Sequence, residues 1–204
     1  MAAAGERVLI VFDLMGTLLT DPYQQAHEAA SGRTFAQFDR DRPPGVYHRL
    51  ERGEIPEEAY WRSLREAGIA FNVELFHRVR REGYGWLPGM RELVVECAAA
   101  HRTVVGSNYP DWIAEVGRDF LADLGVEVFA SHQFGVRKPE AAFFELLCER
   151  TGSSLRELVL IDDKQRNVEA VTALGGLGIH FVSARNTTER LRANGLLVTG
   201  MAER

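Results

Sequence analysis

The stretch Arg7–Asp13, RVLIVFD, runs directly into Leu14-Met15-Gly16-Thr17. An unbroken apolar, partly β-branched run with no polar alternation is what a parallel strand buried on both faces requires. Asp13 and then Gly16 end the run, and the carboxyl ends of strands are where open α/β sheets bind ligands.

Working outward, the segment from about Pro22 to Tyr84 changes character. Charges and aromatics recur at helical spacing in IPEEAYWRSLREAG and NVELFHRVRREG, and no strand-like run interrupts them. This predicts four or so short helices, punctuated by Gly32, Pro43-Pro44-Gly45, Gly53 and Gly68. Alternation then resumes. LPGMRELVVECAAAHR reads as a helix, RTVVGS as a strand and Asp111 to Leu124 as a helix. VEVFAS reads as a strand, and Lys138-Pro139 opens a helix to about Thr151. LRELVLIDD ends a strand in two acids, NVEAVTALG is a helix, Gly175 to Gly178 a turn, and IHFVSA a last strand. Such alternation predicts an α/β fold, a Rossmann-like parallel sheet sandwiched by helices, with the long helical block inserted after the first strand. The expected division is an α/β core of residues 1–20 and 86–204 and a helical cap of residues 21–85.

A chain of 204 residues with 46% apolar and 26% charged residues supports one core plus a small subdomain, as in an ordinary globular protein. The net charge of −5 excludes a surface basic enough to drive nucleic-acid or anionic-membrane binding. Cys97 and Cys148 lie in apolar, helix-like runs away from any metal-ligand spacing, so they read as buried small hydrophobes. The apolar run in MAAAGERVLIVFD is too short for a signal peptide or a membrane span. These features together predict a cytoplasmic enzyme, with no disulfide framework.

The expected strand ends carry Asp13 and Thr17, then Ser107 and Asn108, then Lys138 after a short segment, then Asp162 and Asp163. Each has an ordinary structural explanation alone, as a turn cap, loop polarity or a solvated helix start. Their convergence at one sheet edge points to chemistry. Three carboxylates repel one another unless a hard cation lies among them, and Mg²⁺ takes a few carboxylates, a carbonyl and phosphate oxygens. A lysine and small donors hold the remaining charge of a phosphoryl group.

In that order, Asp13-Leu14-Met15-Gly16-Thr17, Ser107-Asn108, Lys138-Pro139 and Asp162-Asp163 resemble the four motifs of the haloacid dehalogenase superfamily. LERGEIPEEAYW, SNYPD, FGVRKPEAAFFELL and LIDDKQRNVEAVTALGGLGIHFV resemble its sugar-phosphate phosphatases and the phosphatase domain of soluble epoxide hydrolases. The resemblance covers essentially the whole chain. It implies a Mg²⁺-dependent phosphatase acting on a small phosphorylated metabolite, a monomer or homodimer, with Asp13 as nucleophile. The metal would be held by Asp13, the Met15 carbonyl and Asp163, with Asp162 close by. Thr17, Ser107, Asn108 and Lys138 would hold the phosphoryl group, Lys138 would also restrain Asp13, and Asn167 would make a structural hydrogen bond.

One departure stands out. Phosphatases of the superfamily usually carry a second Asp two residues after the nucleophile, as general acid and base. Here that position is Met15, and losing such a group costs about 10²–10⁴ in rate. Met15 therefore favours a substrate with a good leaving group, or an alternative in which the protein is a non-catalytic relative binding a phospholigand or a partner. Carbon–halogen hydrolysis is a further alternative, against which Asp162-Asp163 argues. Of the residues in the helical block, Arg33, Arg40, Arg42, Arg49 and Arg52, with His27 and His48, are expected mostly on a solvated face. Tyr23, Phe35, Phe38, Tyr47, Tyr60 and Trp61 are expected to pack between helices, and Tyr109 to line the site. His101, His132 and His180 have no evident partner for chemistry.

Overall fold

The computed structural model describes residues 7–198, so the first six residues of the N-terminal run lie outside it. Five strands form one parallel sheet in the order β3-β2-β1-β4-β5: β1 Leu9–Phe12, β2 Arg102–Ser107, β3 Glu127–Ala130, β4 Leu158–Asp162 and β5 Leu177–His180. The central strand β1 is buried at every residue, which is why it reads as an apolar run. Its alternate side chains feed two cores. Ile10 and Phe12 pack with α6 (Met90–Ala100), α7 (Ile113–Val116) and α11 (Ala184–Ala193), while Leu9 and Val11 pack with α9 (Ala141–Thr151) and α10 (Gln165–Ala173). A helix–sheet–helix sandwich results, and the chain reverses direction across the sheet at β1, between β2 on one side and β4 on the other.

The block between β1 and α6 forms five helices: α1 Tyr23–Ser31, α2 Phe35–Asp41, α3 Val46–Glu51, α4 Glu57–Glu66 and α5 Val73–Glu82. Thr34 and Gln37 close a capping box on α2, and the Asn72 side chain accepts the Leu75 N–H to start α5. The chain enters and leaves the block side by side: Thr20 N–H donates to the Gly85 carbonyl, Leu87 N–H to that of Leu18, and the Thr20 hydroxyl to that of Gly83. The block's apolar core is continuous with one face of the sheet through Trp112, whose ring stacks on Trp61 at 6.0 Å. Among the described residues no helix is long and apolar enough to cross a membrane.

Several expectations are corrected. Leu177 and Gly178 belong to β5, not to a turn, and that strand ends at His180 rather than Ala184. A Cβ on Gly178 would lie 2.5 Å from the Val168 carbonyl, so the strand packs on α10 more closely than any side chain allows. The helix over Asp111–Leu124 is broken into α7, a π-turn and a 3₁₀ turn. The structure adds helix α11 and the short α8 (Ser131–Phe134) to the expected elements. His27 is fully buried rather than solvated: burial pushes it down to about 3, its Nδ1–H donates to the Tyr23 carbonyl, and Nε2 accepts from the Tyr60 hydroxyl.

Candidate active site

Asp13 continues the β1 ladder by donating its N–H to the Ile161 carbonyl at 2.9 Å, which places it beside Asp162 at the end of β4. Between them enters Lys138, whose Nζ lies 2.9 Å from Asp13 Oδ1 and 2.6 Å from Asp162 Oδ2. All three side chains are buried. Burial alone pulls the lysine down, but the two carboxylates outweigh it and the net direction is up. Burial is also the largest influence on Asp13, raising it to about 7 while Lys138 pulls against it and Asp162 adds to it.

Asp162 is saturated by neighbours. Oδ1 accepts from the Lys164 N–H at 2.8 Å and from Asn167 Nδ2 at 3.0 Å, and Oδ2 takes Lys138 and a second Asn167 contact. The structural hydrogen bond expected of Asn167 is thus present. Asp163 is different: its Oδ2 meets the exposed Lys164 ammonium at 2.7 Å, while its buried Oδ1 has no partner among the described residues. Its backbone is fixed on both sides. The N–H donates to the Thr17 hydroxyl at 3.2 Å, and the carbonyl accepts from His180 Nε2 at 3.0 Å. Gly16, at φ +78°, lets Asp163 approach to where a Cβ would stand only 2.8 Å from Oδ2.

Ligand atoms of Asp13, Asp162 and Asp163 all lie within 4.8 Å of one another. Their mutual repulsion, together with the orphaned Asp163 oxygen, suits a hard divalent cation that takes oxygen donors. Asp13 and Asp163 are the members with oxygen left to give.

The remaining expected residues converge but act less directly. Ser107 is buried at the end of β2. The Asn108 amide, expected on a phosphoryl group, is committed to the backbone of Lys138: Nδ2 donates to its carbonyl at 2.8 Å and Oδ1 accepts its N–H at 2.7 Å. Thr17 likewise serves Asp163.

Beside this cluster a cavity of about 240 Å³ separates the strand ends from the helical block. Met15, Asn108, Tyr109 and Trp112 line it from the sheet side, and Tyr23, Arg42, Tyr47, Glu51, Phe76 and Arg80 from the helices. Tyr109, as expected, and Arg42 line the cavity; Arg42 donates to the Tyr23 hydroxyl at 2.7 Å and pairs with Asp39, whereas Arg33 and Arg40 pair with Asp41. Glu51 and Arg80 carry no expectation from the sequence, and His180, read there as having no evident partner for chemistry, holds the Asp163 carbonyl. Arg80 had a readable signal: it lies one turn from Phe76 on the apolar face of α5, an unusual place for a cation. In the fold it is 2% exposed, stacks 4.9 Å over Trp112, and pairs with Glu115 at 2.6 Å.

An open parallel sheet whose reversal point gathers three carboxylates and a buried lysine defines an α/β protein with a candidate cation site at its strand ends. No protein-family model matches the chain. It is 30% identical over 194 residues, 94% of this chain and 79% of the relative, to flavin mononucleotide hydrolase 1 of Arabidopsis thaliana. It is 37% identical to a sesquiterpene phosphatase of Aspergillus oryzae over 70 residues, 34% of this chain and 36% of that one. Among solved structures, a HAD family enzyme of Bacteroides thetaiotaomicron in complex with magnesium and inorganic phosphate superposes with a TM-score of 0.72, at 18% identity, over 87% of this chain and 96% of that one. The chain belongs to the haloacid dehalogenase (HAD) family of hydrolases.

Proposed function

We propose that this chain is a Mg²⁺-dependent phosphatase that hydrolyses a small phosphorylated metabolite through an aspartyl-phosphate on Asp13. The observation that supports it best is the arrangement of Lys138 and Asp163 around Asp13: one Asp13 oxygen is held by a buried ammonium, and a second acid with one buried, unpartnered oxygen lies within reach of it. Asp13 and Asp163, with the Met15 carbonyl, would hold the metal, and Asp162 stays on Lys138. When bound, Mg²⁺ offsets the charge of the phosphoryl oxygens and of the carboxylates around them.

In this reading the Asp13 oxygen not held by Lys138 attacks phosphorus. The phosphorus–oxygen bond to the leaving group breaks, and its electron pair goes to the leaving oxygen. Lys138 keeps Asp13 oriented and carries positive charge toward the transferring group, with Ser107 beside it. Water then attacks the aspartyl-phosphate, releasing inorganic phosphate and Asp13. The helical block, residues 21–85, acts as a cap over the core of residues 1–20 and 86–204, and its cavity receives the leaving group. Aromatic walls from Tyr23, Tyr47, Tyr109 and Trp112 suit a planar or apolar leaving group, which makes flavin mononucleotide and a sesquiterpenyl phosphate the first substrates to test.

The test is phosphate release from flavin mononucleotide, a sesquiterpenyl phosphate, a sugar-phosphate panel, acetyl phosphate and p-nitrophenyl phosphate, with Mg²⁺ and with EDTA, beside Asp13→Asn. Release that needs Mg²⁺ and disappears in the variant is the expected outcome. Metal-independent halide release from 2-haloacids, with no phosphate release, overturns the reading.

A further inference from the structure

The reaction leaves one proton unassigned. An alkoxide leaving group needs a proton as its bond to phosphorus breaks, and a positioned acid there is worth about 10²–10⁴-fold. The groups around phosphorus cannot supply it. Asp13 is the nucleophile, Asp162 accepts from Lys138, Asn167 and Lys164, and Lys138 is locked between two carboxylates. Met15, two residues beyond Asp13, has no proton to give.

We propose that Glu51, the last residue of α3, is the general acid and base of this site, protonating the leaving oxygen and then taking the proton of the hydrolytic water. The inference rests on the phosphatase reading above. Glu51 lines the same cavity as Met15 and Asn108, from the helical side, and this cavity is the one that receives the leaving group in the proposed reaction. Glu51 is 6% exposed, and its Oε2 pairs with Arg137 at 2.9 Å.

Its position is fixed from the sheet side as well. The Ser131 hydroxyl donates to the Glu51 carbonyl at 2.6 Å and accepts the Tyr109 N–H at 3.0 Å, so one oxygen ties the end of α3 to the segment after β2. Gly53, at φ +67°, would place a Cβ 2.8 Å from the His132 carbonyl, and Arg52 pairs with Glu140 at 2.6 Å. The loop is therefore docked, not free.

Arg137 pairs with the carboxyl, the positive charges of Arg42 and Arg52 act on it as well, and Tyr23, Tyr47 and His48 line the same cavity. Burial outweighs the three arginines and pushes Glu51 up to about 7. A carboxyl near neutrality can both give a proton and take one back. The other carboxyl on the cavity, Asp21, is exposed, and its Oδ1 accepts the Tyr23 N–H at 3.0 Å.

The step balances. Asp13 Oδ bonds to phosphorus as the ester bond breaks, and the leaving oxygen receives the bond's electron pair and the Glu51 proton. In the second half, water oxygen bonds to phosphorus, the bond to Asp13 breaks, and the water proton returns to Glu51.

The experiment compares wild type, Glu51→Gln, Glu51→Asp and Asp21→Asn with Mg²⁺, on flavin mononucleotide (an alkyl ester) and p-nitrophenyl phosphate. Glu51→Gln is expected to lower kcat on the alkyl ester about 10²–10⁴-fold. On p-nitrophenyl phosphate it is expected to give a burst of one p-nitrophenol per enzyme and then slow turnover, because that leaving group needs no proton but the hydrolytic water still needs a base. The fall in kcat on the alkyl ester as pH rises past neutrality should vanish, while the rise set by ionisation of Asp13 stays, and Glu51→Asp should recover part of the rate. Circular dichroism and melting establish that each variant folds. Full activity in Glu51→Gln, an equal loss on both esters with an unchanged pH profile, or the expected pattern in Asp21→Asn instead, each overturns the proposal while leaving the phosphatase reading intact. Wild type inactive on every phosphate ester removes that reading, and this inference with it.

Discussion

Lys138 Nζ stands 2.9 Å from Asp13 Oδ1, both groups buried, and the same ammonium reaches Asp162 at 2.6 Å. One cation thus holds two carboxylates that would otherwise face each other unpaired. Lys138→Ala is expected to cost about 3–5 kcal/mol of stability, the range for removing one partner of a buried ion pair. It should also abolish phosphate release, since the nucleophile loses its restraint. Urea unfolding together with the phosphate assay checks both; near-wild-type stability would show that the two acids simply protonate and repack.

Asp163 carries the only carboxylate oxygen of the cluster that is buried without a partner among the described residues. Mg²⁺ that binds the folded chain must raise its melting temperature by mass action. Wild type is expected to show that rise and lose it in EDTA. Asp163→Asn should show little or none while melting no lower than the metal-free wild type, because the change removes a repelling charge. Calorimetric titration of Mg²⁺ into both proteins gives the affinities directly, and a gap of less than about tenfold would exclude Asp163 as a ligand.

Gly53 turns left-handed against the His132 carbonyl. Gly53→Ala introduces a left-handed non-glycine residue, at about 1–2 kcal/mol, and a contact that forces the loop away from α8. The expected result is a lower melting temperature together with a fall in kcat, since Glu51 rides on that loop. A melting change with kcat intact would separate docking from chemistry.

His27 gives a pH signature. Its folded value of about 3 lies below its ordinary 6.5 because burial disfavours the charged ring. Between those values the unfolded chain binds more protons than the folded one, so stability rises with pH across that window. The contribution is fully present above about 6.5 and is lost as pH falls toward 3. Asp13 and Glu51, raised to about 7, have the opposite sign: what they contribute is present at low pH and lost as pH rises through 7. The difference between wild type and His27→Gln isolates the histidine. Urea midpoints at pH 7.5, 5.5 and 4.5 should fall more steeply for wild type than for the variant.

The sheet and the line of acids along its edge could be read from the chain because both are local. β1 and β4 are unbroken apolar runs since each strand is covered on both faces, and an acid at such a run's end can lie only at the strand's carboxyl edge. The five helices before α6 were legible from their spacing, though their number was not. The Asp111–Leu124 segment reads as one helix by composition. In the fold it breaks at Gly117 into a π-turn, with Val116 and Leu121 buried on either side of the break.

What the tertiary structure alone decided is which groups meet across long separations where no motif announces the meeting. Ser131 lies 80 residues from the Glu51 it holds, whereas the pairing of Lys138 with Asp13 across 125 residues was already implied by the resemblance of the motifs. No periodicity encodes such pairings. The same holds for the division of labour among three adjacent acids. The residues themselves set Asp162 and Asp163 side by side, and only the resemblance assigned them different roles. In the fold Asp162 is closed off by Lys138, Asn167 and Lys164, while Asp163, just beyond the end of β4, is left with an open oxygen. Desolvation, which pushes Glu51 up and His27 down, depends on what surrounds a group in space, and the sequence names a residue's chemistry without naming its surroundings.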